Sequence, residues 1–123
     1  MLVRIDPASS VPLGDQVAAS VRGAIADGSV GAGERLPAAR ALAVSLGVNV
    51  HTVLRGYQRL KEEGLIELRR GRGAVVTGAA SPARARLTDA AAGLIEQARA
   101  LGLTDEEIVS LVRTGLGGRI GTG

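Results

Sequence analysis

Two short amphipathic patterns, separated by only a few residues, constrain the fold of this chain more than any other feature. The first follows Pro37, and its apolar residues recur on one helical face at Ala39, Leu42, Ala43 and Leu46. The second begins at Asn49, a good helix cap, and extends to about Glu63. Proline can open a helix and Gly47 is a natural stop between the two patterns. The spacing predicts a helix-turn-helix.

A further helix pattern precedes this pair and a hairpin pattern follows it. Apolar residues recur every four positions at Leu13, Val17, Val21 and Ile25. Segments 65–69 and 74–77 have strand composition, with Ile66 and Leu68 on one face, and Arg70-Gly71-Arg72-Gly73 supplies the turn. Near the N-terminus, Val3 and Ile5 alternate with polar neighbours, which predicts a very short first strand.

The predicted fold class is mainly α with a small β-wing: a winged helix-turn-helix followed by two C-terminal helices. We predict a winged domain over residues 1–78, a two-helix region over 83–116 and a flexible, glycine-rich tail over 117–123. Thr104 and Glu107 have the spacing of a capping box for the last helix.

The two C-terminal helices carry an apolar stripe that a monomer would leave exposed, so we expect it to form a homodimer interface. The alternative is that the stripe packs back on the winged domain of the same chain. A chain ending at Ala80 is expected to fold as a monomer. The predicted dimerisation residues are Leu87, Leu94, Leu101, Ile108, Leu111 and Val112.

Composition narrows the function classes. Residues 1–80 hold ten basic and seven acidic residues, whereas residues 81–123 hold five of each. Tyr57 is the single aromatic residue, which argues against a stacking platform for single strands but leaves duplex DNA open. There is no Cys, His51 is the single histidine, and no nucleophile–base constellation is present, so we expect no metal, no cofactor and no enzyme activity.

No apolar run approaches the roughly 20 residues needed to span a bilayer, and the N-terminus lacks the layout of a secretory signal. The expectation is a soluble, cytoplasmic protein with no membrane partner.

The third helix and the hairpin are both basic, a combination that suits duplex DNA. A helix fits the major groove, and residues near its N-terminal end reach base edges. By position these are Asn49, His51, Thr52 and Arg55. The alternative, left open by spacing alone, is that they are ordinary capping and solvent-facing residues.

Several separated motifs between about residue 11 and residue 77 resemble the DNA-binding domain of GntR-family regulators. They are Pro12-Leu13 with Gln16-Val17, Gly33-Glu34-Arg35-Leu36-Pro37, Ala38-Ala39-Arg40-Ala41-Leu42-Ala43, Gly47-Val48-Asn49 with Thr52-Val53, Glu63-Gly64-Leu65-Ile66, and Arg70-Gly71-Arg72-Gly73 with Val76.

The resemblance implies DNA contacts from the second helix, the start of the third helix and the glycine at the wing tip. The full predicted set is Arg35, Arg40, Asn49, His51, Thr52, Arg55, Arg70, Gly71 and Arg72. The common pattern has Ser-Glu-Arg where this chain has Ala38-Ala39-Arg40. Many members carry Arg or Pro at the position of Val50 and a polar residue at the position of Leu54. These departures bear on base preference and leave the fold unchanged.

Only about forty residues follow the wing, so the chain resembles the small YtrA-like branch, in which two helices serve dimerisation. The expected function is a homodimeric repressor that binds a pseudo-palindromic operator in double-stranded DNA. The rival class is a winged-helix adaptor that binds proteins and not DNA. The sequence identifies no small-molecule effector.

Overall fold

Five helices and one two-stranded sheet follow one another along residues 1–120, the part of the chain that this computed structural model describes. Their order is α1 (Leu13–Ala26), α2 (Ala39–Leu46), α3 (Val50–Glu62), β1 (Ile66–Arg69), β2 (Gly73–Val76), α4 (Pro82–Ala100) and α5 (Asp105–Ile120). This confirms the predicted mainly α fold class with a small β-wing. Close contacts group Met1–Asp89 into one unit and the residues from Ala90 onward into a second.

The core of the first unit lies between α1 and α3. The predicted apolar stripe of α1 is confirmed, because the structure buries Val17, Val21 and Ile25. Val53 and Leu60 of α3 are fully buried as well, and α2 contributes Leu42. Burial of side chains of this size supplies most of the stability that a small domain can gain.

The turn between α2 and α3 has the geometry that the sequence predicts. Gly47 has a φ of 70°, a left-handed conformation in which a residue with a side chain would be strained. The Asn49 side-chain oxygen accepts a hydrogen bond from the His51 amide at 2.8 Å and so caps α3. The pair is therefore a helix-turn-helix, with α3 as its second helix.

The wing is an antiparallel hairpin in which Arg69 pairs with Gly73 next to the turn. The segment before α2 lies along the other edge of β2, where the Leu36 amide donates to the Ala74 carbonyl oxygen at 2.8 Å. The wing is thus tied by backbone hydrogen bonds to the residues that lead into the helix-turn-helix.

The predicted inner face of the hairpin is only half right. Ile66 is buried, but Leu68 is 50% exposed. Burial along β1 declines from Ile66 towards Arg69, because the strand runs away from the helical core.

The predicted first strand is wrong. Val3 and Ile5 are half-buried against the core, but the segment before α1 has no partner strand among the described residues. Instead, the Ser20 hydroxyl of α1 accepts from the Arg4 amide at 3.2 Å and donates to the Arg4 carbonyl oxygen at 3.0 Å. The alternating pattern arises because one side of the segment is buried. Side chains of α1 form the hydrogen bonds to its backbone that a neighbouring strand would otherwise form.

The first turns of α4 pack within the winged unit, so this unit extends further than the predicted end at residue 78. Ala80 and Ala85 are buried, and the Arg86 guanidinium donates to the carbonyl oxygen of Ala26 at 3.3 Å. Asp89, the last residue of the unit, accepts from Arg22 at 3.2 Å. The linker-like composition before α4 does not indicate that the first turns of this helix pack on the winged unit.

In the second unit, the end of α4 and the start of α5 are joined by a short turn at Gly102, whose φ is 84°. The capping box is confirmed: the Thr104 amide donates to Glu107 Oε1 at 2.9 Å, and the Glu107 amide donates to Thr104 Oγ1 at 3.2 Å. Hydrogen bonds to the Glu107 carboxyl from the Thr104 backbone amide and, second, from the Thr104 side chain hold the pKa of this carboxyl below its usual value.

Helix α5 continues to Ile120, so residues 117–120 of the predicted flexible tail are helical. A glycine costs only about 1 kcal/mol in a helix interior, which is too little to end a helix by itself. Residues 121–123, also predicted as tail, lie outside the described residues.

Candidate nucleic-acid interface

The start of α3 presents its predicted DNA-binding residues in two different ways. His51 and Arg55 are exposed, whereas Thr52 is half-buried. Thr52 and Arg55 lie beside Gly14 of α1, where an added Cβ would be 3.2 Å from both the Thr52 carbonyl oxygen and Arg55 Cβ. Close packing against α1 therefore fixes this side of α3.

Asn49 is exposed, but its side-chain oxygen caps α3. Bidentate recognition of adenine by asparagine uses both the oxygen and the amide nitrogen. The cap engages the side-chain oxygen of Asn49 and does not involve its amide nitrogen.

The start of α2 carries positive charge and lacks the usual acidic partners. Arg40 is exposed, Ala38 provides no side-chain cap, and the first turn holds no acidic residue. The partial positive charge of a helix N-terminus adds to that of Arg40, and both favour a phosphate group.

Tyr57 fixes the start of α2 relative to α3. Its hydroxyl donates to the carbonyl oxygen of Pro37 at 2.6 Å, two residues before α2 begins. Burial raises the pKa of Tyr57 to about 12. Because Tyr57 belongs to α3, this hydrogen bond links the entry to α2 directly to α3.

The wing tip is a tight turn that projects two arginines. The Arg72 amide donates to the Arg69 carbonyl oxygen at 3.1 Å, and Gly71 has a φ of 81°. Arg70 and Arg72 on either side of this glycine are exposed. Arg35 is exposed too, and its backbone forms a bridge with Val75 at the edge of β2.

Other basic residues of the same unit are engaged in ion pairs. Arg22 is only 2% exposed and donates to Glu63 at 2.8 Å as well as to Asp89. Arg59 pairs with Glu63 at 3.5 Å, and Arg69 pairs with Glu67. The net charge of the sequence does not indicate which arginines form ion pairs within the unit and which are exposed without one.

Sequence reasoning missed the inward position of Arg22 and the exposure of Gln58. In the sequence, Arg22 follows the apolar residue Ala18 by one helical turn, which was the available signal for an inward position. Gln58 is exposed seven residues after His51, a spacing that places both on the same face of α3.

No helix of the described residues is both long enough and apolar enough to cross a membrane.

A helix-turn-helix with a basic wing defines a DNA-binding transcriptional regulator of the winged helix-turn-helix class. The sequence model described as "Bacterial regulatory proteins, gntR family" matches residues 13–76. The chain belongs to the GntR family, as its motifs indicate, and its relatives include YtrA proteins of the small YtrA-like branch.

Two curated relatives and one solved structure illustrate the likeness. The regulator Rv1152 of Mycobacterium tuberculosis is 36% identical over 105 residues, which are 85% of this chain and 86% of that protein. The repressor YtrA of Bacillus subtilis is 36% identical over 76 residues, 62% of this chain, and the match spans only 58% of the length of YtrA. These relatives are named as transcriptional regulators and not as enzymes.

The solved structure of YtrA from Sulfolobus acidocaldarius, a GntR-family transcription factor, is similar with a TM-score of 0.61. The match has 34% sequence identity and covers 75% of this chain and 97% of that one. It supports the winged helix-turn-helix architecture of the chain.

Proposed function

We propose that this protein is a homodimeric repressor that binds a pseudo-palindromic operator in duplex DNA. The observation that carries the proposal is the exposure of basic side chains at both the start of α3 and the wing tip, represented by Arg55, Arg70 and Arg72. The major groove admits a helix such as α3, and the wing tip then meets the flanking phosphates or the minor groove.

Each part of the surface has a distinct role in this proposal. His51 and Arg55 face base edges in the major groove, and Thr52 and Asn49 offer a hydroxyl and an amide nitrogen beside them. Arg40, with the start of α2, binds the phosphate backbone. Further phosphates are bound by Arg35 at the edge of β2 and by Arg70 and Arg72 at the wing tip. Gly71 permits the tight turn at this tip.

The two C-terminal helices supply the dimer interface. Five of the six predicted dimerisation residues are exposed, from 37% for Leu94 to 80% for Leu101. Ile108 is the exception: it is 8% exposed and already packs within its own chain. An apolar set of this size favours burial against a second copy, and a two-fold dimer in turn requires two related half-sites.

The sign of regulation is proposed by analogy with YtrA, whose name is that of a transcriptional repressor. A dimer bound across a promoter blocks access of the polymerase. Since an operator lies on the chromosome, the protein works in the cytoplasm.

The DNA-binding part is tested by gel-shift titration on the DNA upstream of its own gene and on duplexes selected from a randomised pool. We expect the joint change Arg70→Ala and Arg72→Ala to weaken binding and to reduce the log–log salt slope by about 0.9 for each phosphate that the variant no longer neutralises. Arg84→Ala, at an exposed arginine of α4, is the control for loss of a positive charge away from the wing. An adaptor that binds proteins alone predicts no selected duplex and no salt-dependent DNA affinity.

The dimer is tested separately by sedimentation of the full chain. Leu101→Glu and Leu111→Glu place charges in the exposed apolar set and should convert a dimer to a monomer at micromolar concentration. Leu68→Glu, at an exposed leucine of the wing, should leave the dimer intact. A wild-type chain that sediments as a monomer would refute the homodimer.

A further inference from the structure

Leu54 is a large apolar residue that α3 exposes to solvent. It is 45% exposed and lies three residues after His51 and four before Gln58, both of which are exposed. These spacings place the three residues along one face of the helix. The buried residues of α3 include Val53 and Tyr57, and Leu54 lies at the edge of this buried set with nearly half of its side chain exposed.

In the major groove, base edges offer hydrogen-bond donors and acceptors with one apolar exception, the C5 methyl group of thymine. A leucine pressed against a polar edge would displace water from that edge without replacing its hydrogen bonds, which is unfavourable. Against a thymine methyl, the same leucine removes apolar surface of both partners from water.

We propose that Leu54 reads a thymine 5-methyl group in each half-site, and is thus a specificity-determining residue. The inference rests on the proposed function, since it requires α3 to enter the major groove. The neighbouring residues support it, because Thr52 is half-buried and the Asn49 oxygen is engaged in the helix cap. Sequence discrimination at the start of α3 therefore falls mainly on His51, Leu54 and Arg55.

The expected size of the effect follows from burial of one methyl group. Loss of that group weakens binding about four-fold in one half-site. The same loss in both half-sites of a dimer weakens binding about ten- to twenty-fold if the two contributions add.

The experiment uses the full chain and a duplex that it selects from a randomised pool. Each thymine of one half-site is replaced in turn by uracil, which lacks the methyl group and keeps the base pairing. We expect one position to show the four-fold loss with the wild type. Leu54→Ala should bind the thymine duplex more weakly and should be indifferent to uracil at that position, whereas Leu54→Met should retain the sensitivity.

The outcomes separate this inference from the proposed function. If no duplex is selected, the proposed DNA binding fails. If a duplex is selected but no uracil replacement weakens binding, or if Leu54→Ala keeps the full sensitivity, the thymine contact is overturned. If Leu54→Ala changes sedimentation and not uracil sensitivity, the leucine makes a protein contact and the inference is again overturned. Far-ultraviolet circular dichroism of both variants verifies that α3 is intact.

Discussion

The Tyr57 hydroxyl of α3 donates a hydrogen bond to the Pro37 carbonyl oxygen at 2.6 Å, just before α2 begins. Tyr57 is almost fully buried. One buried side chain thus fixes the position of α2 relative to α3.

Tyr57 should titrate at about 12 and not near its ordinary value of 10.0, because burial disfavours the phenolate. The raised pKa contributes stability that is fully present below pH 10 and is lost as the pH rises from about 10 to about 12. Ultraviolet absorbance of tyrosinate measures this directly, since the chain has one Tyr and no Trp. A midpoint near 10.0 in the folded protein would contradict the burial. Tyr57→Phe should lower the free energy of unfolding by about 1 kcal/mol through the unpaired Pro37 carbonyl.

Gly56→Ala should destabilise the winged unit. An added Cβ would lie 2.8 Å from the carbonyl oxygen of Gly14 and 2.9 Å from Val17 Cγ1, so α1 and α3 would have to move apart. We expect a loss of about 1–3 kcal/mol in urea unfolding. Gly23→Ala is the matched control: it meets nothing within 4 Å and should stabilise α1 by up to about 1 kcal/mol. Equal effects of the two changes would refute the close approach.

Arg22 should contribute more to stability than its exposed partner Asp89. It is buried, whereas the side chains of Glu63 and Asp89 are 17% and 55% exposed. Arg22→Ala should cost about 3 kcal/mol, because it uncovers the core and leaves Glu63 without its buried partner. Asp89→Ala should cost less than about 1 kcal/mol, as expected for an exposed pair. Thermal unfolding of the single variants gives the order, and a larger effect at Asp89 would contradict it.

A chain that ends at Asp89 should fold more stably than one that ends at Ala80. The longer chain keeps the buried Ala85 and the hydrogen bond from Arg22 to Asp89, and together these are worth about 2 kcal/mol. Both shortened chains should sediment as monomers and bind an operator more weakly than the full chain. Equal melting temperatures for the two would show that the start of α4 adds nothing to the winged unit.

The sequence by itself determined the elements that depend on local chemistry. Asn49 predicted a helix cap, Gly47 predicted the turn before it, and Thr104 with Glu107 predicted a capping box; the structure confirms all three. The order of the motifs also determined the family. These features are decided within a few residues along the chain, so that neighbouring side chains and backbone suffice to specify them.

Only the tertiary structure decided which side chains face inward and which pairs meet across long separations. The alternation of Val3 and Ile5 looks like a strand, but α1 supplies side-chain partners in place of a neighbouring strand. Arg22 looks like any other basic residue until Glu63 and Asp89 are brought to it. Burial and pairing of this kind depend on contacts between distant segments, and these exist only once the chain has packed.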